Sequence, residues 1–181
     1  MYSDAVNGVL IVDKPKVMTS HDVVASVRRR FGLKKVGHAG TLDPMATGVL
    51  VLLVGRATKL VEHLMDRRKA YRGTLIFGRR TSTGDAGGVI LEEGEVPRVD
   101  GDALRRAAAE FVGHGWQVPP MVSAVKHEGK RLYDLARKGL EVERAPRPVH
   151  ITSFEITGVE LPRVDFELEC GRGTYVRTLV E

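Results

Sequence analysis

Gly37-His38-Ala39-Gly40-Thr41-Leu42-Asp43-Pro44-Met45-Ala46-Thr47-Gly48, running straight into Val49-Leu50-Val51-Leu52-Leu53-Val54, is the stretch that decides how the chain is read. The second part is an apolar run of strand length with no turn residue inside it, so it reads as a fully buried strand. The first part is a polar loop with one acid at its centre. Pro44 disfavours helical angles at Asp43 and holds it extended, while Gly37, Gly40 and Gly48 allow angles that other residues resist. The acid is therefore presented rather than packed. Taken alone, Asp43-Pro44 is also an ordinary turn start, with the Thr41 and Thr47 hydroxyls bonding local backbone.

Composition narrows the surroundings of this loop. A chain of 181 residues with 43% hydrophobic content builds one globular domain, or one with a small appendage. The single cysteine, Cys170, excludes an internal disulfide and a cysteine-rich zinc site, and reads as a small core residue of a cytosolic protein. His21, His38, His63, His114, His127 and His150 show no paired ligand spacing, so no structural metal is expected. No charged-then-apolar leader and no bilayer-length apolar run is read, which predicts a cytoplasmic protein without a membrane partner.

Charge is unevenly placed. Residues 1–80 hold 15 Lys/Arg against 6 Asp/Glu, whereas residues 81–181 hold 13 against 17, so the net charge of +5 conceals a basic first half that contains the Asp43 loop. The clusters Arg28-Arg29-Arg30, Lys34-Lys35, Arg67-Arg68-Lys69 and Arg79-Arg80 suit a phosphate backbone. Each cluster by itself is equally a solvated face, and the three arginines at 28–30 already suit a helix C-terminus.

Along the chain, residues 8–12 read as a strand ended at Asp13-Lys14-Pro15. A helix follows with Ser20 as its cap, Val23, Val24, Val27 and Phe31 on one face, and Gly32 as its stop. A second helix is predicted over Arg56 to Lys69, with Leu60, Val61, Leu64 and Met65 inward, and a strand over Tyr71 to Phe77. Residues 81–88 form a loop by composition, Asp100 to Val112 an amphipathic helix, and Lys130 to Lys138 a short helix ended by Gly139. Trp116 to Lys126 is too proline-interrupted for a helix, and Val149 to Thr157 and Val164 to Cys170 alternate like antiparallel strands.

The loop at 37–48 closely resembles the signature of the TruB family of tRNA pseudouridine synthases, in which a catalytic aspartate lies in a Gly-His-x-Gly-x-Leu-Asp-Pro-x-Ala-x-Gly string. Gly8-Val9-Leu10-Ile11-Val12-Asp13-Lys14-Pro15, Lys69-Ala70-Tyr71-Arg72, Pro119-Pro120-Met121-Val122-Ser123-Ala124-Val125-Lys126 and Gly173-Thr174-Tyr175-Val176-Arg177 extend the resemblance along the chain in the family's order. Val122 departs from it, since an aromatic residue is common there. The resemblance implies an α+β pseudouridine synthase fold: a mixed, mainly antiparallel sheet flanked by helices, with the active cleft across it. It also implies that residues 1–181 are a catalytic domain lacking its C-terminal part, with no PUA-type RNA-binding domain present.

The same resemblance implies an isomerase that converts the T-loop uridine at tRNA position 55 to pseudouridine, acting as a monomer on the T-arm. This rearrangement breaks the N1 glycosidic bond and joins C5 to the same sugar carbon, so no electrons are gained and no cofactor is needed. Asp43 is then the nucleophile at C1′ or the base toward C2′. Arg177 is the fixed cation that keeps a buried carboxylate charged. Tyr71 and Tyr175 stack on a flipped base, Tyr175 also being placed to handle a proton. His38 fills the space the base leaves, and Lys14 supports the active loop and holds phosphate. Asp85, in Thr81-Ser82-Thr83-Gly84-Asp85, either positions RNA or orders its own loop. The alternatives are a guide-RNA-dependent synthase, against which Pro44-Met45-Ala46-Thr47-Gly48 resembles the bacterial form, and a non-catalytic RNA-binding fragment.

Overall fold

The structure, a computed structural model, describes residues 6–181. The chain divides into two compact units, Met1–Arg67 and Arg68–Glu181.

In the first unit the strands are β1 (Gly8–Lys14), β2 (Val36–His38) and β3 (Gly48–Val54), in the order β1-β3-β2 with both pairings antiparallel. Helix α1 (Ser20–Phe31) supplies Val23, which packs with Leu50 and Leu52 of β3. The run 49–54 is not buried throughout, as its composition predicted. Helix α1 covers the face of Leu50 and Leu52; on the opposite face burial is confined to Leu53 near the strand end, so Val49 stays 69% exposed and Val51 half-buried. Register places Lys14 opposite Gly48, at the point where the polar loop joins β3.

The cap of α1 is also corrected. Thr19, not Ser20, is the N-cap: its side chain accepts from the Asp22 amide, and the Asp22 carboxylate accepts in return from the Thr19 amide at 2.8 Å. Ser20 is thus the first helical residue, and its hydroxyl is free to turn inward, where it is 2% exposed. Gly32 closes the helix in the left-handed conformation, as read.

The long helix predicted over Arg56 to Lys69 is instead a tight 3₁₀ segment, Gly55–Leu60, followed by α2 (Val61–Met65). The Thr58 hydroxyl donates to the Gly55 carbonyl at 2.8 Å, which favours the narrower turn over a regular helical start. Leu60 and Met65, expected inward, are 51% and 38% exposed.

The second unit holds β4 (Lys69–Ile76), β5 (Arg79–Thr81), β6 (Ile90–Glu93), α3 (Gly101–Glu110), β7 (Gly113–Gln117), β8 (Lys126–His127), β9 (Lys130–Arg131), α4 (Leu132–Ala136), β10 (Arg147–Glu160), β11 (Arg163–Cys170) and α5 (Val176–Val180). Four strands make an antiparallel sheet in the order β4-β11-β10-β7, and β5-β6 and β8-β9 are separate hairpins. In β11 the alternation Val164, Phe166, Leu168, Cys170 is buried in register, with charged residues between. Phe166, Leu168 and Cys170 meet Ile151 and Phe154 of β10 and Ala108 of α3 in one core. Trp116 and Gln117, placed by sequence in an irregular stretch, are the end of edge strand β7, and irregular backbone begins only after them.

The α+β class holds, and every strand pairing among the described residues is antiparallel. Among the described residues, no helix is long and apolar enough to cross a membrane.

Candidate active site

In the first unit the acid loop is held by buried side chains on both sides of Asp43. Lys14 is fully buried, and its ammonium donates to the carbonyls of Met18 at 2.7 Å, Pro15 at 2.9 Å and Pro44 at 3.3 Å. The Val17 amide also donates to the Pro44 carbonyl, at 2.8 Å. On the other side, the Ser20 hydroxyl accepts from the Leu42 amide at 3.0 Å and donates to the Leu42 carbonyl at 3.3 Å. Asp43, half-buried, therefore lies between two residues whose backbone is fixed. Burial pushes the Lys14 ammonium below its usual pKa, and the charge of Asp43 acts in the opposite direction. His38 donates from Nδ1 to the Gly40 carbonyl at 2.6 Å and meets the His21 ring edge to face, with centroids 5.4 Å apart.

In the second unit Arg177, on α5, is 9% exposed. Its Nη1 donates to the Thr83 carbonyl at 2.6 Å and its Nη2 to the Val122 carbonyl at 3.0 Å. The side chain at position 122, where the sequence departs from the family pattern, is not what Arg177 uses. Asp85 organises the loop that Arg177 grips. Its carboxylate accepts from the Thr83 hydroxyl at 2.6 Å and the Gly87 amide at 2.9 Å, and its carbonyl accepts from the Thr81 hydroxyl at 2.8 Å. Tyr71, on β4, is half-buried against the core of Phe166 and Leu168. A cavity of about 540 Å³ opens beside Arg177 and is lined also by Arg80, Thr83, Pro120, Val122 and Arg144.

Each unit thus gathers its own share of the predicted residues: Lys14, His38 and Asp43 in the first, and Tyr71, Asp85, Tyr175 and Arg177 in the second. Two contributors escape the sequence reading. Ser20 reads as a cap, and its bond to Leu42 spans 22 residues. Gln117 carries no local signal, because its carboxamide meets the Tyr175 backbone across 58 residues: Nε2 donates to the Tyr175 carbonyl at 3.0 Å and Oε1 accepts from the Tyr175 amide at 2.8 Å.

Residues 28–176 match the TruB family pseudouridylate synthase N-terminal domain. The chain belongs to the TruB family. Among curated TruB relatives, tRNA pseudouridine synthase B of Opitutus terrae is 51% identical over 96% of this chain and 72% of that protein. The enzyme of the same name from Syntrophotalea carbinolica is 49% identical over 96% of this chain and 56% of its own length. The chain is thus shorter than the TruB relatives it matches. A solved Cbf5-Nop10-Gar1 complex contains a chain that superposes with a TM-score of 0.70 at 31% identity, covering 96% of this chain and 42% of that one. An H/ACA RNP bound to a substrate RNA containing 2′-deoxyuridine gives 0.66 at 26% identity, covering 96% of this chain and 40% of its counterpart.

Proposed function

We propose that this chain carries the catalytic residues of a tRNA pseudouridine synthase that isomerises the T-loop uridine at position 55, acting as a monomer on the T-arm in the cytoplasm. The observation that carries the reading is the fixing of the acid loop on both sides of Asp43, by Ser20 at Leu42 and by Lys14 at Pro44. A carboxylate that attacks one sugar carbon gains rate from being held in one place before the substrate arrives.

In this reading Asp43 attacks C1′ as nucleophile, or takes a proton from C2′ as base, while the glycosidic bond to N1 breaks. The freed uracil turns and C5 bonds to C1′, displacing the Asp43 carboxylate or, on the base route, with C2′ taking its proton back; the C5 proton then leaves and N1 takes up a proton, so that no atom or electron is gained. Arg177 keeps the acid ionised, Tyr71 and Tyr175 hold the flipped base by stacking, and His38 occupies the gap left in the RNA. Lys14 secures the loop; fully buried, with its three N–H donors on the Pro15, Met18 and Pro44 carbonyls, it does not hold phosphate as its sequence motif implied. Asp85 acts indirectly, by ordering the 81–87 loop that Arg177 binds. The relatives at 49–51% identity are tRNA pseudouridine synthase B, which favours a tRNA substrate over the RNA of the more distant H/ACA assembly.

The test is release of tritium from C5 of uridine in an unmodified T-arm stem-loop, run beside Asp43→Ala. The reading requires release by the parent chain and background release by the variant, with T-arm affinity unchanged. Equal release by both would overturn the role of Asp43, and binding without release by the parent would favour an RNA-binding fragment.

A further inference from the structure

We infer that Gln117 is a positioning residue, whose buried carboxamide holds the Tyr175 backbone and thereby sets the start of the helix that delivers Arg177. The inference rests on the reading above, in which Tyr175 and Arg177 serve the reaction. Gln117 is the last residue of edge strand β7 and is 8% exposed. Both ends of its amide are used on one residue: it donates to the Tyr175 carbonyl and accepts from the Tyr175 amide. A side chain here reproduces the paired exchange that two strands make across a ladder.

The segment it grips is short and irregular. Between β11 and α5 the chain passes through Gly171, Arg172 and Gly173, with Gly173 at φ 82°; the Gly171 amide donates to the His150 carbonyl at 2.8 Å and the Thr174 hydroxyl donates to the Gly171 carbonyl at 3.2 Å. Tyr175 is the N-cap of α5 and offers no side-chain cap; Val176, Leu179 and Val180 pack the helix against the core, and the Gln117 pair fixes the backbone where the helix starts. Two residues on, Arg177 must meet the Thr83 and Val122 carbonyls together. A tilt at Tyr175 would move the tyrosine ring and break one or both of those bonds.

The chemistry is selective. A neutral carboxamide offers a donor and an acceptor; an ionised carboxylate offers acceptors only and would face the Tyr175 carbonyl with like partial charge, whereas a protonated acid again offers both. Gln117→Glu therefore makes the clamp depend on pH, and Gln117→Leu removes it at every pH.

The experiment measures kcat and KM on the T-arm stem-loop for the parent chain, Gln117→Glu and Gln117→Leu, between roughly pH 5.5 and roughly pH 8.5, where a buried carboxyl passes from neutral to ionised. At the alkaline end both variants should lose about 10- to 100-fold in kcat/KM, the usual scale for leaving buried polar groups unpaired, because the displaced Tyr175 and Arg177 serve base binding and turnover together in this reading. As pH falls, Gln117→Glu should climb back toward the parent and Gln117→Leu should not. The Tyr175 amide resonance, followed in parallel, should titrate in Gln117→Glu alone. A constant ratio of Gln117→Glu to parent across the range, or a Tyr175 amide indifferent to the introduced carboxyl, overturns the inference. A parent chain without turnover overturns the catalytic reading instead, while the amide titration still decides whether the clamp exists.

Discussion

Ser20 holds Leu42 at both its amide and its carbonyl, 3.0 and 3.3 Å away, so one buried hydroxyl fixes the residue immediately before Asp43. Ser20→Ala leaves the Leu42 amide without that acceptor, and should cost about 1–3 kcal/mol in denaturant unfolding, the usual range for a buried group left unpaired. Turnover should fall roughly tenfold at unchanged RNA affinity, since a small misplacement of a reacting group is costly. Full turnover per folded molecule would show that Leu42 does not need this hold to place Asp43.

Lys14 makes stability depend on pH in a defined direction. Its folded pKa lies below the ordinary lysine value of 10.5, because burial penalises the ammonium more than Asp43 favours it. Between those two values the unfolded chain binds more protons than the folded one, so this residue's contribution to stability rises with pH through that window. Unfolding of the parent and of Lys14→Met, compared from neutral pH up to about pH 10, should show the difference moving in the parent's favour as pH rises. A difference that is flat or falls with pH would show that Lys14 folds with an unshifted or raised pKa.

Val17 adopts φ 73° and is 80% exposed, an angle at which a β-branched residue is strained. Its amide nevertheless donates to the Pro44 carbonyl, so the strained turn is part of the support beneath Asp43. Val17→Gly removes the steric strain at the expense of a more flexible unfolded chain, and the net gain should be about 0.5–1 kcal/mol. Thermal unfolding of the two proteins checks this; a lower melting temperature for the glycine variant would mean that the valine side chain has a packing role.

Gly73 lies opposite Phe166 across β4 and β11. A methyl group on Gly73 would stand 2.5 Å from the Phe166 ring edge, closer than carbon atoms approach without movement. Gly73→Ala should therefore push Phe166 out of its place against Phe154 and destabilise the second unit by about 1–3 kcal/mol, the range for overpacking a core. Chemical denaturation measures it, and an unchanged midpoint would mean that Phe166 has room to turn aside.

Much of this molecule is written locally. The capping pair Thr19 and Asp22, the Gly32 stop, the alternation in β11 and the Asp43 loop each depend on residues within a few positions, which is why sequence pattern finds them or misses by a single residue, as at Ser20. Local pattern also fails where two local signals compete. Arg56 to Lys69 has helical periodicity, yet a hydroxyl bond at Thr58 and the exposure of Leu60 and Met65 replace the helix by a tighter turn. The candidate site shows the same division. Asp43, Tyr71 and Arg177 stand in strings specific enough to place the chain in its family.

What the sequence determined alone is thus the α+β class, the presented acid and the family. Tertiary structure decided what holds those groups still: Lys14 on Pro44 across 30 residues, Ser20 on Leu42 across 22, Gln117 on Tyr175 across 58 and Arg177 on Thr83 across 94. Each is a hydrogen bond to backbone, and a carbonyl or amide is the same group in every residue, so no side-chain pattern announces where such a bond will form.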